Sequence, residues 1–208
     1  MDYKYIIWDW NGTLLCDVSA SLRSVNDMLR RRNMPEMDIE RYRDCIGVPI
    51  IKFYERVFDL GKEDYAGILR EYNEGYMLHL AHCTLSPGSI EALDYFKANG
   101  CLQIIVSSSN NEQLVENVRK YGVYDYFDAV LGSSDYFAQS KIERAKAYLE
   151  AGGKGKALVI GDLEHDADMA NEIGADCILL TSGHEKRERL INSGAGIIDS
   201  LFSLDKIL

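Results

Sequence analysis

Asp9, Ser107, Lys141, Asp162 and Asp166 are spread over most of the chain, yet each stands where an apolar run stops or a helix signal starts. Asp9 ends Tyr5-Ile6-Ile7-Trp8 and leads into Trp10-Asn11-Gly12-Thr13. Ser107 ends Leu102-Gln103-Ile104-Ile105-Val106 and opens Ser107-Ser108-Ser109-Asn110. Asp162 follows Ala157-Leu158-Val159-Ile160-Gly161, with Asp166 four residues on, and Lys141 opens the preceding helix signal. Paired carboxylates with a third nearby form a hard oxygen site suited to Mg²⁺. A serine hydroxyl and a lysine ammonium donate to phosphate oxygens. Loops after strands add backbone N–H groups and helix N-termini that favour anions. The chemistry indicated is the handling of a phosphate group beside a divalent cation. Each residue alone has an ordinary reading: Asn11-Gly12 as a turn pair, Ser107 as a cap, Lys141 as an exposed helix-start lysine, Asp166 and Asp168 as first-turn acids.

Those residues converge only if the right elements carry them. The run before Asp9 is short, β-branched and aromatic, and ends at a glycine turn, so it reads as a strand. From about residue 88, strand and helix signals alternate. A helix around Ile90, Leu93 and Phe96 stops at Asn99-Gly100, and the strand Leu102–Val106 follows. Helix Leu114–Val118, strand Ala129–Leu131, helix Lys141–Glu150, strand Ala157–Ile160, a helix ending at Gly174 and strand Cys177–Leu180 come next, with Ile197-Ile198 a sixth strand. This rhythm implies right-handed crossovers and a parallel sheet covered on both faces, whose ligands bind at the carboxyl ends of the strands. Residues 16–84 read as helices only, with apolar spacings of three and four. The fold expected is α/β, a doubly wound parallel sheet formed by residues 1–15 and 85–208, with an α-helical cap domain, 16–84, inserted after the first strand.

Composition bounds the function. The 208 residues are 47% hydrophobic, enough for one core and an insertion, and no apolar run approaches a membrane span. The N-terminus has no signal-peptide order of basic, apolar and cleavage regions. Five scattered cysteines include no Cys-x-x-Cys pair and suit a reduced compartment. A cytoplasmic protein is expected, working as monomer or homodimer. The formal charge of −10 argues against nucleic acid. It also means that an anionic substrate needs a cation or a local ring of donors.

Four motifs in order resemble those of the haloacid dehalogenase superfamily, in its phosphoglycolate-phosphatase-like branch with a helical cap. They are Asp9-Trp10-Asn11-Gly12-Thr13, Ile104-Ile105-Val106-Ser107, Lys141, and Gly161-Asp162-Leu163-Glu164-His165-Asp166. The resemblance spans nearly the whole chain. It implies a Rossmann-like core and a small phosphorylated metabolite as substrate. It also implies attack by Asp9 through an aspartyl-phosphate intermediate, with Mg²⁺ held by Asp9, the Asn11 carbonyl, Asp162 and Asp166. Ser107, Lys141 and the N–H groups around Gly12, with Thr13 and Ser108 beside them, are implied to bind the phosphate.

Position 11 departs from the pattern. The family's phosphatases carry a second aspartate there as general acid and base, whereas Asn11 transfers no proton. Good leaving groups, a substitute acid among His79, His82, His165 and His184, or a weakened phosphate-ligand binder with a regulatory role remain open. A phosphonatase-like reading through Lys52 is a minor alternative. The cap residues Tyr42, Tyr54, Tyr65, Tyr72, Tyr76, Arg41, Arg43, Lys52 and Arg56 are candidates for holding the leaving group.

Overall fold

A computed structural model describes residues 2–133 and 140–204 of the chain. Strand β1 (Tyr3–Trp8) lies at the centre of a six-stranded parallel sheet. Its partners are β4 (Leu102–Asn110), β5 (Ala129–Ser133), β6 (Lys156–Gly161), β7 (Asp176–Leu180) and β8 (Gly196–Ile198), in the order β5-β4-β1-β6-β7-β8. Side chains alternate across β1. Ile6 and Trp8 join one buried layer with Leu93 and Phe96 of α5 (Ser89–Ala98) and Leu114 and Val118 of α6 (Asn111–Lys120). Tyr5 and Ile7 join the other, with Ala145 of α7 (Lys141–Gly152) and Met169 and Ala170 of α8 (Glu164–Ile173). A strand covered on both faces has to be apolar throughout, which is why the sequence shows a run there and not an alternation. The doubly wound architecture expected from the sequence is the one present.

Between β1 and α5 run four helices, α1 (Val18–Arg31), α2 (Ile39–Cys45), α3 (Ile51–Val57) and α4 (Tyr65–Leu80). They enclose a core of their own that includes Val25, Met28, Tyr42, Phe53, Tyr54 and Ile68. The sequence signals no strand here, but two short ones flank the helices. Leu15–Cys16 (β2) pairs antiparallel with Thr84–Leu85 (β3), so the chain leaves and re-enters the sheet layer through one two-stranded neck. Helix α9 (Arg187–Ile191) follows β7.

The sheet determines which residues meet. Trp8 is in register with Ile105 of β4 and Ile160 of β6, so the chain continues into Asp9, Ser107 and Asp162 along one edge of three neighbouring strands. Among the described residues, no helix is long and apolar enough to cross a membrane.

Candidate active site

Asp9, Asp162 and Asp166 come together, each with a carboxylate oxygen within 4.8 Å of the others. Asp162 and Asp166 are fully buried, and Asp9 is 6% exposed. Lys141 lies between two of them: its Nζ donates to Asp9 Oδ1 and to Asp166 Oδ1, both at 2.6 Å. The first residue of α7 is therefore a buried cation rather than a surface lysine. Asp166 Oδ2 accepts from the N–H groups of Asp162 and Leu163, each at 3.1 Å, which ties the turn after β6 to the start of α8. A Cβ at Gly161 would overlap the Asp166 carboxylate, so the residue before Asp162 has to be glycine.

Burial pushes the Asp9 carboxyl up to about 6, against the pull of Lys141 and with a further push from Asp166. Burial also raises Asp162 well above the usual carboxylate range; the charge of His184 opposes the rise, and Asp9 and Asp166 add to it. Burial disfavours the charged form of Lys141, but Asp166 and Asp9 outweigh it and its affinity for a proton is raised. One ammonium thus faces three buried acids. A dication fits the remaining imbalance, and the donors are the hard oxygens that Mg²⁺ takes.

Asp162 is positioned from both oxygens. Oδ1 accepts from Thr13 Oγ1 at 3.1 Å and Oδ2 from the His184 N–H at 2.7 Å. Gly12, at φ +74°, packs against the same carboxylate, where a Cβ would collide with it. Two sequence expectations change here. The Gly12 N–H already donates to Asp17 Oδ1 at 2.7 Å and to Leu15 O at 2.9 Å, because the turn folds back on itself, so it is not free for a phosphate. Thr13 directs its hydroxyl to Asp162 rather than outward.

Ser107 is buried and its Oγ contacts Ser109, accepting from the Ser109 N–H at 3.2 Å. Ser108 points the other way and is exposed, as alternation along β4 requires; it is Ser109 that reaches the site, donating to Asn11 Oδ1 at 2.9 Å. Asn110 serves as N-cap of α6.

Asn11 sits in a network that the motifs do not announce. Its Nδ2 donates to Asp17 Oδ2 and to the Tyr76 hydroxyl, both at 2.8 Å, and Tyr76 in turn donates to Asp17 Oδ2 at 2.7 Å. His184 Nε2 lies 3.2 Å from Asp17 Oδ1, and its Nδ1 lies 2.9 Å from the Tyr42 hydroxyl. Burial opposes the His184 charge, but Asp17, then Asp162 and Asp9, lift it to about 9. Burial likewise opposes the charge on Asp17, but His184, Tyr76 and Asn11 hold its carboxyl below the usual range. Of the four histidines, His184 alone joins this network. His79 pairs with Asp27 at 2.7 Å, His82 is exposed, and His165 lines a separate cavity.

The helices reach the sheet edge at several further points. Arg43 donates to the carbonyls of Ser182 and Gly183, and Arg189 to those of Asp44 and Ile46. Arg43 and Arg56 are thereby spent partly on backbone carbonyls, Arg56 on Cys45 and Ile46. A cavity of about 530 Å³ opens between residues 46–56 and α8, lined by Lys52, Arg56 and Arg189 against Glu164, Asp168 and Glu185. Lys52 faces this cavity, whose walls include none of Asp9, Lys141 or Asp162.

The model of the haloacid dehalogenase-like hydrolases matches residues 6–180. The chain belongs to that family. Within it, the chain is 26% identical over 190 residues to a phosphoglycolate phosphatase of Rhodobacter capsulatus, covering 87% of this chain and 85% of the relative. It is 27% identical over 207 residues to the Dickeya dadantii protein named "Probable phosphatase IndB", covering 95% and 90%. A solved haloacid dehalogenase-like hydrolase from Streptococcus pneumoniae superposes with a TM-score of 0.83 at 19% identity, covering 99% of this chain and 98% of that one, a likeness of fold. The expected family and enzyme class, a hydrolase, are those found.

Sequence reasoning missed Asp17, Ser109 and the parts played by Tyr76, Tyr42 and His184. Asp17 stands at the N-cap position of α1, yet its side chain makes no capping bond and turns back to the Asp9 loop. A faint signal was present in the two short segments that frame the helices, since whatever sits at such a neck lies close to the strand end it leaves.

Proposed function

We propose that the chain is a Mg²⁺-dependent phosphatase acting on a small phosphorylated metabolite, with Asp9 as nucleophile. The observation that carries this reading is the buried Asp9 carboxylate, paired with Lys141 at 2.6 Å at the carboxyl end of the central strand. The match to the hydrolase family and to relatives named as phosphatases supports it.

With its carboxyl near 6, Asp9 is largely ionised at neutral pH and able to attack phosphorus in line. The P–O bond to the leaving alcohol breaks and an aspartyl phosphate forms. Water then attacks the same phosphorus, which frees the Asp9 carboxylate and releases inorganic phosphate. Lys141 keeps Asp9 oriented and charged, while the Ser107 hydroxyl would turn from Ser109 to donate to an equatorial phosphate oxygen. Asp9, Asp162, Asp166 and the Asn11 carbonyl would hold Mg²⁺, which when bound offsets negative charge on the phosphate and on the acids around it. Thr13 and the His184 N–H keep Asp162 turned toward that position.

Asn11 supplies no proton to the leaving group, which favours substrates whose leaving groups need little protonation. Residues 16–84 act as the cap, whose helices α2 and α4 reach the Asp9 edge through Tyr42 and Tyr76, which leaves room for a small molecule rather than a folded protein. We assign the enzyme to the cytoplasm, as a monomer or homodimer without a nucleic-acid partner, in keeping with its charge of −10.

The test is Mg²⁺-dependent phosphate release from p-nitrophenyl phosphate, whose leaving group suits Asn11. Turnover should fall by about a thousandfold or more in Asp9→Asn, with the fold retained by circular dichroism. Turnover undiminished in that variant would remove Asp9 from its role. No metal-dependent turnover in the unaltered protein would favour a phosphate-ligand binder instead.

A further inference from the structure

The Asp17 carboxylate is 1% exposed and meets partners from three separate places in the chain. Oδ1 accepts from the Gly12 N–H at 2.7 Å and lies 3.2 Å from Nε2 of His184 in the loop after β7. Oδ2 accepts from the Asn11 amide at 2.8 Å and from the Tyr76 hydroxyl of α4 at 2.7 Å. A carboxylate so surrounded serves as an acceptor hub, because charge-assisted bonds in a water-poor site are the strong ones.

Asn11 is equally committed. Both hydrogens of its amide are used, on Asp17 and Tyr76, and its Oδ1 accepts from Ser109. The reverse orientation would set its oxygen against the Asp17 carboxylate, so the network itself decides which way the amide faces. Tyr76 closes the triangle by accepting from Asn11 and donating to Asp17. Its ring is held by stacking on Tyr72, with centroids 5.8 Å apart and planes 17° apart. The one hydroxyl by which α4 touches the Asp9 loop thus bonds both to an amide two residues from the nucleophile and to the carboxylate gripping Gly12.

We propose that Asp17 is a positioning residue that couples cap closure to the Asp9 loop: Tyr76 and Asn11 share its Oδ2, so docking of α4 fixes the Asn11-Gly12 turn, and the carboxylate at 17 is what requires an amide at 11. The proposal rests on the phosphatase reading for its kinetic consequence, but not for its structural one. It makes Asn11 the matched partner of Asp17 rather than a vacant acid. It also explains why an aspartate at a helix N-cap position leaves the helix amides uncapped.

The test combines Asp17→Asn, Tyr76→Phe, the pair together, and the exchange Asn11→Asp/Asp17→Asn, which keeps one amide and one carboxylate in contact. On p-nitrophenyl phosphate with Mg²⁺, Asp17→Asn should lower kcat by about tenfold or more while KM moves by less than about threefold, because a displaced loop costs chemistry more than binding. Tyr76→Phe should lower kcat in the unaltered protein but add less than about twofold in the Asp17→Asn background, since both act through one oxygen. The exchanged pair should regain part of the stability to urea lost in Asp17→Asn, a readout that an added acid at position 11 does not supply, and no recovery would count against the pairing. Losses that multiply independently, or an unchanged kcat in Asp17→Asn, would overturn the proposal.

Amide hydrogen exchange over residues 10–14 gives a readout independent of turnover. Tyr76→Phe, which keeps the ring and its stack, should speed exchange there if α4 holds the turn through Asp17, and unchanged exchange would refute the coupling even if Asp17→Asn failed to fold. An unaltered protein without turnover would sink the phosphatase reading alone, leaving the exchange experiment to decide this one.

Discussion

Asn11→Asp is the substitution that would restore the family's usual acid, and the structure predicts that it destabilises the protein. The Asn11 Nδ2 stands 2.8 Å from Asp17 Oδ2, so an aspartate there sets a half-buried carboxylate against the buried one of Asp17 and removes both amide donors. Two unit charges about 3 Å apart repel by about 5 kcal/mol at an effective dielectric constant of about 20. The pair escapes by keeping one proton. Holding a carboxyl protonated at pH 8 when its ordinary value is near 4 costs up to about 5 kcal/mol, at about 1.4 kcal/mol per pH unit. Both routes give the same ceiling, and local relaxation leaves a penalty of about 2–5 kcal/mol at pH 8. At pH 5 the same reasoning gives about 1–2 kcal/mol. The sign follows from linkage: the folded variant has a raised acid value, so its disadvantage grows as pH rises above the unfolded value. Urea unfolding in EDTA at pH 5 and pH 8, read by the fluorescence of the buried Trp8 and Trp10, measures both. A penalty below about 0.5 kcal/mol at pH 8, or one equal at the two pH values, would mean that the two carboxyls do not repel across the Asp17 Oδ2 contact.

Two further outcomes follow from the same geometry. Lys141→Met leaves Asp9 and Asp166 buried without their cation, so it should cost about 3–5 kcal/mol in EDTA, with much of the loss recovered in Mg²⁺; equal unfolding midpoints in both buffers would argue against a metal among these acids. His184, lifted from 6.5 to about 9 chiefly by Asp17 against the opposing effect of burial, contributes stability that is complete below about pH 6.5 and lost as pH rises through 9. The stability gap between the metal-free protein and His184→Gln, at most about 3 kcal/mol, should therefore close between pH 6.5 and 10; a constant gap would mean that packing alone is lost.

The amino-acid sequence determined the sheet and the strand ends. A strand buried on both faces must be an apolar run, and a parallel sheet brings its carboxyl ends to one edge; Asp9, Ser107 and Asp162, about 50–150 positions apart, could thus be assembled without coordinates. The four helices between β1 and α5 were legible as helices, because spacings of three and four run through residues 16–84 without the alternating strand signals of the rest of the chain. What remained hidden depends on which donor faces which acceptor across elements distant in sequence. Lys141 was readable as a helix start, but whether it bonds water or Asp9 depends on the approach of α7 to β1. The Gly12 N–H was readable as an available donor until the β2 turn and Asp17 took it. Tyr76 lies 59 residues and His184 167 residues after Asp17, and no periodicity links them. Hydrophobic pattern is local and determines elements; hydrogen-bond partnership is set at about 3 Å, by the angle at which the helices sit on the sheet edge, and only the tertiary structure contains that angle.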